Sequence, residues 1–121
     1  MSKSAQSVLI FGLYLEVLGI VLLVTPNFLL GIFQVPSTNE VWIRVDGMLV
    51  FLLGVYYILA ARKELTDFFQ WTVYHRPTVI LFFTAFVLLG FVSPLLILFG
   101  VVDLLGAIWT GMALRSTKSV Q

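Results

Sequence analysis

The sequence contains no cysteine, only one histidine and few charged residues for its length. Among 121 residues, seven are lysine or arginine and six are aspartate or glutamate, which gives a formal net charge of +1. Without cysteine there are no disulfides, no thiolate metal ligands and no cysteine nucleophile. One histidine cannot build a zinc or haem site without carboxylate ligands, so we expect no metal and no cofactor. The near-neutral charge argues against nucleic acid as a partner, because such binding requires a concentrated basic surface.

Enzyme motifs are missing as well. The chain has no glycine-rich phosphate loop, no HExxH motif and no GxSxG motif. Its serines and threonines cluster near the ends of the predicted helices, where capping of the backbone explains them. The sequence therefore identifies no catalytic residue and favours a protein that is not an enzyme.

Apolar residues are abundant by contrast. They make up 60% of the chain, and the mean hydropathy is +1.08, a composition typical of an integral membrane protein. A short apolar segment at about 27–33 follows Pro26 and predicts an interfacial helix. Four longer runs predict an all-α membrane protein, a single domain over residues 1–121 built as a four-helix bundle with transmembrane helices at about 8–24, 41–61, 77–92 and 94–114.

Two of these helices have boundaries that depend on specific residues. The third run is short for a bilayer, which allows its helix to begin upstream, within residues 68–75, and to kink at Pro77. Ser37 and Glu40 have the spacing of a capping box, which predicts Ser37 as the N-cap of the second helix.

The positive residues indicate an orientation. The loop between the first and second predicted spans and the loop between the third and fourth contain no lysine or arginine. Arg44 lies just inside the second helix. By the positive-inside rule both termini are expected in the cytoplasm. His75 and Arg76 are expected to contact lipid headgroups at the cytoplasmic boundary. Six of the seven lysines and arginines share the predicted cytoplasmic side, namely Lys3, Arg62, Lys63, Arg76, Arg115 and Lys118.

Charged residues within the predicted spans are the best functional candidates. Glu16 and Asp103 lie near the middle of the first and fourth helices, where a charged group costs about 2.5–3.5 kcal/mol to insert. Each shares a helix face with small residues, which mark close helix contacts, so we expect the two carboxylates to meet inside the bundle. Asp46 and Arg44 lie near the outer end of the second helix. The candidates for ligand or proton binding are Glu16, Asp103, Asp46 and Arg44.

Structural roles for the same residues remain open. Glu16 and Asp103 could be protonated or hydrogen-bonded links between helices. Arg44 follows Glu40 by four residues, the favourable order for an ion pair along a helix. Asp46 could simply be solvated near the outer interface.

Two short regions resemble small multidrug resistance transporters. They are Tyr14-Leu-Glu16-Val-Leu-Gly19 and Ala107-Ile-Trp109-Thr-Gly111. The resemblance implies an antiparallel dimer in which a membrane carboxylate, here Glu16, exchanges protons for cationic aromatic compounds. The second string lies in that family's third helix, whereas in this chain it lies in the fourth.

Most of the chain resembles small bacterial four-helix membrane proteins of the DoxX-like kind. The resemblance rests on Pro26 with Leu29-Leu30-Gly31, on Arg44-Val-Asp46-Gly47, and on Gly54-Val-Tyr-Tyr followed by Arg62. It implies the four-helix plan and a bacterial inner membrane, and it carries over no catalytic residues.

The sequence is compatible with three functions. The first is a non-enzymatic membrane protein acting as an accessory subunit or a small binding protein. The second is a proton-coupled or cation-binding transporter that uses the intramembrane carboxylates, and the third is an enzyme that modifies a lipid or isoprenoid. The expected partners are membrane lipids, further copies of the chain, or a larger membrane complex.

Overall fold

Helices form most of the described chain. A computed structural model describes residues 1–120, with side chains up to residue 116, and no strand occurs in this part. The all-α prediction is confirmed. Three segments are long and apolar enough to cross a membrane: Lys3–Val24, Val41–Arg62 and Pro94–Ser116. The helices are α1 (Lys3–Val24), α2 (Pro26–Ile32), α3 (Val41–Arg62), α4 (Thr66–His75), α5 (Thr78–Leu88) and α6 (Ile97–Val120), with a 3₁₀ turn at Pro94–Leu96 before α6.

Side-chain capping explains where α1 begins but not where α3 begins. α1 starts five residues before the predicted Val8, because the Ser2 side chain accepts a hydrogen bond from the N–H of Ala5 at 3.0 Å. The capping box predicted at Ser37 is wrong. Glu40 itself is the N-cap of α3, and its side chain forms no cap hydrogen bond.

The loop before α3 is held to α2 instead. The Asn27 side chain donates to the carbonyl of Thr38 at 3.1 Å and accepts from the N–H of Thr38 at 2.9 Å. The Thr38 hydroxyl in turn accepts from the N–H of Glu40 at 3.0 Å. Thr38 therefore forms a side-chain turn that leads into Glu40, and it does not cap α3.

The region of the third predicted span is divided in two. α4 and α5 are separated by Arg76 and Pro77, both of which keep helical backbone angles. Proline removes a backbone donor and crowds the preceding turn, which accounts for the break. α5 alone has 11 residues, or about 16 Å of helix, which is short for a bilayer core of about 30 Å.

α1 and α3 are in backbone contact along a row of glycines. A Cβ added at Gly19 would lie 2.6 Å from the backbone nitrogen of Phe51 and 2.7 Å from the carbonyl oxygen of Gly47. A Cβ at Gly54 would lie 2.8 Å from the carbonyl oxygen of Gly12. Small residues permit such an approach between apolar helices, so these four glycines define the α1–α3 seam.

α1 is the central helix of the arrangement. It packs against α3 on one side and α6 on the other, and α6 packs in turn against α4 and α5. α5 contributes no buried residue. The buried core lies where the start of α1 meets the ends of α3 and α6, and consists of Ala5, Val8, Phe11, Leu15, Tyr57, Ala60, Ala61, Phe69 and Leu114.

A hydrogen-bonded clip closes this end of the molecule. The backbone N–H and the hydroxyl of Ser2 donate to the two carboxylate oxygens of Glu64, each at 2.7 Å. Glu64 follows α3 with φ 53°, a left-handed conformation that turns the chain toward α4. These hydrogen bonds hold the pKa of Glu64 below its usual value of 4.5.

We expect Gly19→Ala to destabilise the fold by about 1–3 kcal/mol, because the new methyl group would meet backbone atoms that cannot move aside. Gly31→Ala in α2 is the matched control, since no heavy atom lies within 4 Å of its added Cβ. Thermal unfolding in one detergent measures both variants. Equal midpoints for the two would show that the α1–α3 seam tolerates a side chain.

We expect the Ser2–Glu64 clip to make stability depend on pH. Because folding lowers the pKa of Glu64, its contribution is fully present above the ordinary value of 4.5 and disappears as the pH falls through the lowered pKa. Unfolding midpoints of the native chain and of Glu64→Gln should therefore differ at neutral pH and converge in acid. A difference that is constant across the titration would contradict this assignment.

Candidate functional site

A cavity of about 400 Å³ lies among α1, α2, α3, α5 and α6. Its walls are formed mainly by leucine, valine and phenylalanine side chains, and its polar lining consists of Tyr14, Asp46 and Asp103. Small-molecule sites in proteins typically enclose about 300–1,000 Å³, with apolar walls and a few convergent polar groups. The cavity has the size and the lining of such a site.

The two carboxylates reach the cavity from helices that begin at the same end of the bundle. The Ser93 hydroxyl donates to the carbonyl of Phe33 at 2.6 Å, and the rings of Phe33 and Phe99 stack at 4.2 Å. These contacts hold the start of α6 beside the segment that leads into α3. Asp46 lies in the second turn of α3 and is exposed, whereas Asp103 lies in the second turn of α6 and is half-buried.

The cavity has an open side between α3 and α5. Both helices contribute lining residues, Leu53 from α3 and Val79 and Phe83 from α5, but their described parts do not form a packed pair. Leu53 is 45% exposed. An apolar opening at this position would face the hydrocarbon of a surrounding bilayer.

Glu16 lies outside this cavity. It is half-buried on the face of α1 that meets α3, and its Cγ lies 3.0 Å from the position of a Cβ at Gly54. The structure therefore brings Asp46 and Asp103 to one cavity and places Glu16 in the α1–α3 seam. No contact between Glu16 and Asp103 occurs in the described chain, in contrast to the expected meeting.

Arg44 binds the end of α1. Its Nη1 donates to the carbonyl of Leu23 and lies 3.5 Å from the carbonyl oxygen of Val24. The expected ion pair with Glu40 is wrong, because no ion pair to Arg44 is formed within the described residues. The last carbonyls of a helix lack intrahelical donors and carry partial negative charge, so they attract a guanidinium at this position.

Arg76 is buried inside the bundle and is only 3% exposed, so the expected contact with lipid headgroups is wrong. Its Nη2 donates to the hydroxyl of Thr110 at 2.8 Å and to that of Thr72 at 3.1 Å. Its Nε lies 3.4 Å from the carbonyl oxygen of Thr72. The Thr110 hydroxyl is also 2.7 Å from that of Ser7, so this network joins α1, α4 and α6.

Aromatic rings cover the rest of the guanidinium group. Its carbon lies 4.8 Å from the ring centre of Phe11 and 5.9 Å from that of Tyr57, distances typical of cation–π contacts. Nη1 is buried and has no hydrogen-bond partner within the described part of the chain. Asp103 is the acidic side chain whose charge acts on Arg76.

The sequence contains one local pattern that indicates a buried position for Arg76. Thr72 precedes Arg76 by four residues, so a helix that begins near residue 66 places both on one face. If the third helix begins within residues 68–75, Arg76 lies inside the helix and not at the cytoplasmic boundary. No spacing along the chain, however, pairs Arg76 with Thr110.

Metal ligands do not gather at the cavity. No group of three or more histidine or acidic side chains that could hold a metal ion occurs in the described part of the chain. Comparisons with protein-family models, with curated proteins and with solved structures find no match to this chain.

Proposed function

We propose that this chain is a non-enzymatic protein of the bacterial inner membrane that binds a small, largely apolar molecule in the cavity. The observation that supports the proposal is the cavity itself. It has a volume of about 400 Å³, apolar walls and two carboxylates in its lining. A carboxylate in an apolar membrane site is costly unless a partner compensates it. A bound molecule with a hydrogen-bond donor or a positive charge would be such a partner.

The lining favours a ligand with two unlike ends. The leucine, valine and phenylalanine walls suit an aliphatic or aromatic body. Asp103, with Tyr14 beside it in the lining, suits an amine or hydroxyl group. The opening between α3 and α5 favours entry from the bilayer rather than from water.

The same proposal includes four membrane crossings. α4 and α5 together span 66–88, or 23 residues and about 34 Å of helix, which is enough for a third crossing. Because Arg76 is buried, five positive residues remain to mark the cytoplasmic side. They still outnumber those of the other side, which supports cytoplasmic termini.

The chain would act within a larger assembly or as a small binding protein. It has short loops, and large apolar side chains are exposed along α3, α5 and α6, as expected for contact with lipid or with other membrane helices. This plan is compatible with the DoxX-like resemblance and with an accessory subunit. Further copies of the chain are equally suitable neighbours for these surfaces.

A proton-coupled or cation-binding carrier is the second candidate. The observation that favours it is the position of two carboxylates in one cavity, Asp46 near the mouth and Asp103 deeper. A carrier must release its ligand on the opposite side, whereas a binding protein need not. Transport across a sealed membrane therefore separates the two functions.

Four crossings can be tested with single cysteines, because the native chain has none. We expect Asn39→Cys and Phe91→Cys to react with an impermeant maleimide in intact cells, and Lys63→Cys to react only after lysis. Labelling of Phe91→Cys on the same side as Lys63→Cys would show that α4 and α5 do not cross.

Ligand binding can be tested with a fluorescent alkylamine and the corresponding alkyl carboxylate in nanodiscs. We expect saturable binding of the amine and, for Asp103→Asn, a loss of affinity of about tenfold or more, which corresponds to ~1.4 kcal/mol. Glu16→Gln is the matched control, because it neutralises a carboxylate outside the cavity and should change the affinity little.

Further outcomes test the site and separate the two functions. Equal affinity for the amine and the carboxylate, or a greater loss in Glu16→Gln than in Asp103→Asn, would contradict the proposed site. Val50→Trp should block binding by filling the cavity, and a thermal melt verifies that each variant is folded. Uptake of the amine into proteoliposomes driven by a pH gradient would favour the carrier.

A further inference from the structure

A polar stripe on α6 runs from the buried Arg76 to the cavity. Asp103, Gly106 and Thr110 are spaced three and four residues apart, so they share one face of the helix. Thr110 accepts from Nη2 of Arg76, and a Cβ at Gly106 would lie 3.1 Å from Nη1. The guanidinium group therefore lies along this stripe, with Nη1 on the side toward Asp103.

One donor group of Arg76 has no acceptor in the described part of the chain. A guanidinium has five N–H donors, and burying one away from an acceptor costs free energy. Nε and Nη2 face the oxygens of Thr72 and Thr110, whereas Nη1 has no partner in the described part of the chain. Asp103 is the acidic side chain whose charge acts on Arg76, although the two form no direct ion pair within 4 Å.

We propose that Arg76 is the positioning residue for Asp103. Nη1 supplies the counter-charge for the carboxylate without a direct ion pair, through space or through one bound water, and holds it ionised in the cavity. The inference rests on the proposed function only in that Asp103 receives the polar end of the ligand. Arg76 itself does not line the cavity, so it acts through Asp103.

The groups around Asp103 suit this role. The charge of Asp103 acts on Tyr14 of α1, on Tyr57 of α3 and on Arg76 at the junction of α4 and α5. Asp46 lines the same cavity from α3. Arg76 is the one positive side chain in this set, so it alone can balance the charge of Asp103 before a ligand arrives.

The consequence is selectivity for the ligand's polar end. An ionised carboxylate only accepts hydrogen bonds, whereas a protonated one also donates. With Arg76 in place the site favours an amine over a carbonyl or carboxylate group. Without that counter-charge Asp103 would take up a proton, and the preference for the amine would fall.

The experiment uses Arg76→Gln, Arg76→Lys, Asp103→Asn and the double variant Arg76→Gln/Asp103→Asn. Infrared spectra of the ligand-free protein at neutral pH report the protonation of Asp103 directly. We expect Arg76→Gln to gain a carboxylic-acid C=O band relative to the native chain, and Arg76→Lys and the double variant to gain none. This readout requires no ligand, and a loss of packing alone would not produce it.

Binding of the fluorescent alkylamine provides the second readout. Arg76→Gln should weaken it by about tenfold, Arg76→Lys should restore most of the loss, and Arg76→Gln should cost little more in the Asp103→Asn background. If the infrared band responds but the amine never binds, the pairing stands and the proposed ligand is wrong. An unchanged band in Arg76→Gln would overturn the inference, and Arg76→Lys tests it by rescue if Arg76→Gln fails to fold.

Discussion

The backbone contact between α1 and α3 is the constraint on which the rest of the structure depends. Lipid chains are as apolar as leucine, so burial of apolar surface does little to hold membrane helices together. Close packing must do so, and here a Cβ at Gly19 or Gly47 would collide with backbone atoms of the partner helix. With one face of α1 committed to α3, its other face remains for α6. α4 and α5 reach the bundle mainly through α6, which leaves α3 and α5 apart and creates the cavity.

The same packing places each charged group of the bundle in a different environment. Arg44 binds carbonyls at the end of α1, and Arg76 lies among threonine hydroxyls and aromatic rings. Asp46 and Asp103 face the cavity. Arg44 and Nη2 of Arg76 donate to oxygens of the protein, whereas no hydrogen bond to either carboxylate of the cavity is formed within the described residues. This asymmetry is the physical reason to look for a ligand at the carboxylates.

The sequence predicts the helical fold well and the site only in part. Runs of apolar residues predict the helices, and small residues at helical spacing predict close helix contacts, because both are local patterns. Glu16 and Asp103 have the same kind of local pattern, yet Glu16 lies in the seam and Asp103 at the cavity. Which face of α1 meets which neighbour depends on the assembled bundle. The contact between Arg76 and Thr110 joins residues 34 positions apart, so no local spacing could reveal it.

The two ends of the bundle are packed differently, which gives the proposed ligand a route between the bilayer and the cavity. The end of the bundle that holds Ser2 and Glu64 contains the buried core, the clip and the Arg76 network, all of which join helices through several contacts. The other end contains the cavity, and α5 there has no buried side chain. Regions with few buried apolar contacts open at the lowest free-energy cost. Movement of α5 relative to α3 would therefore admit a molecule from the bilayer while Asp103 stays anchored on α6.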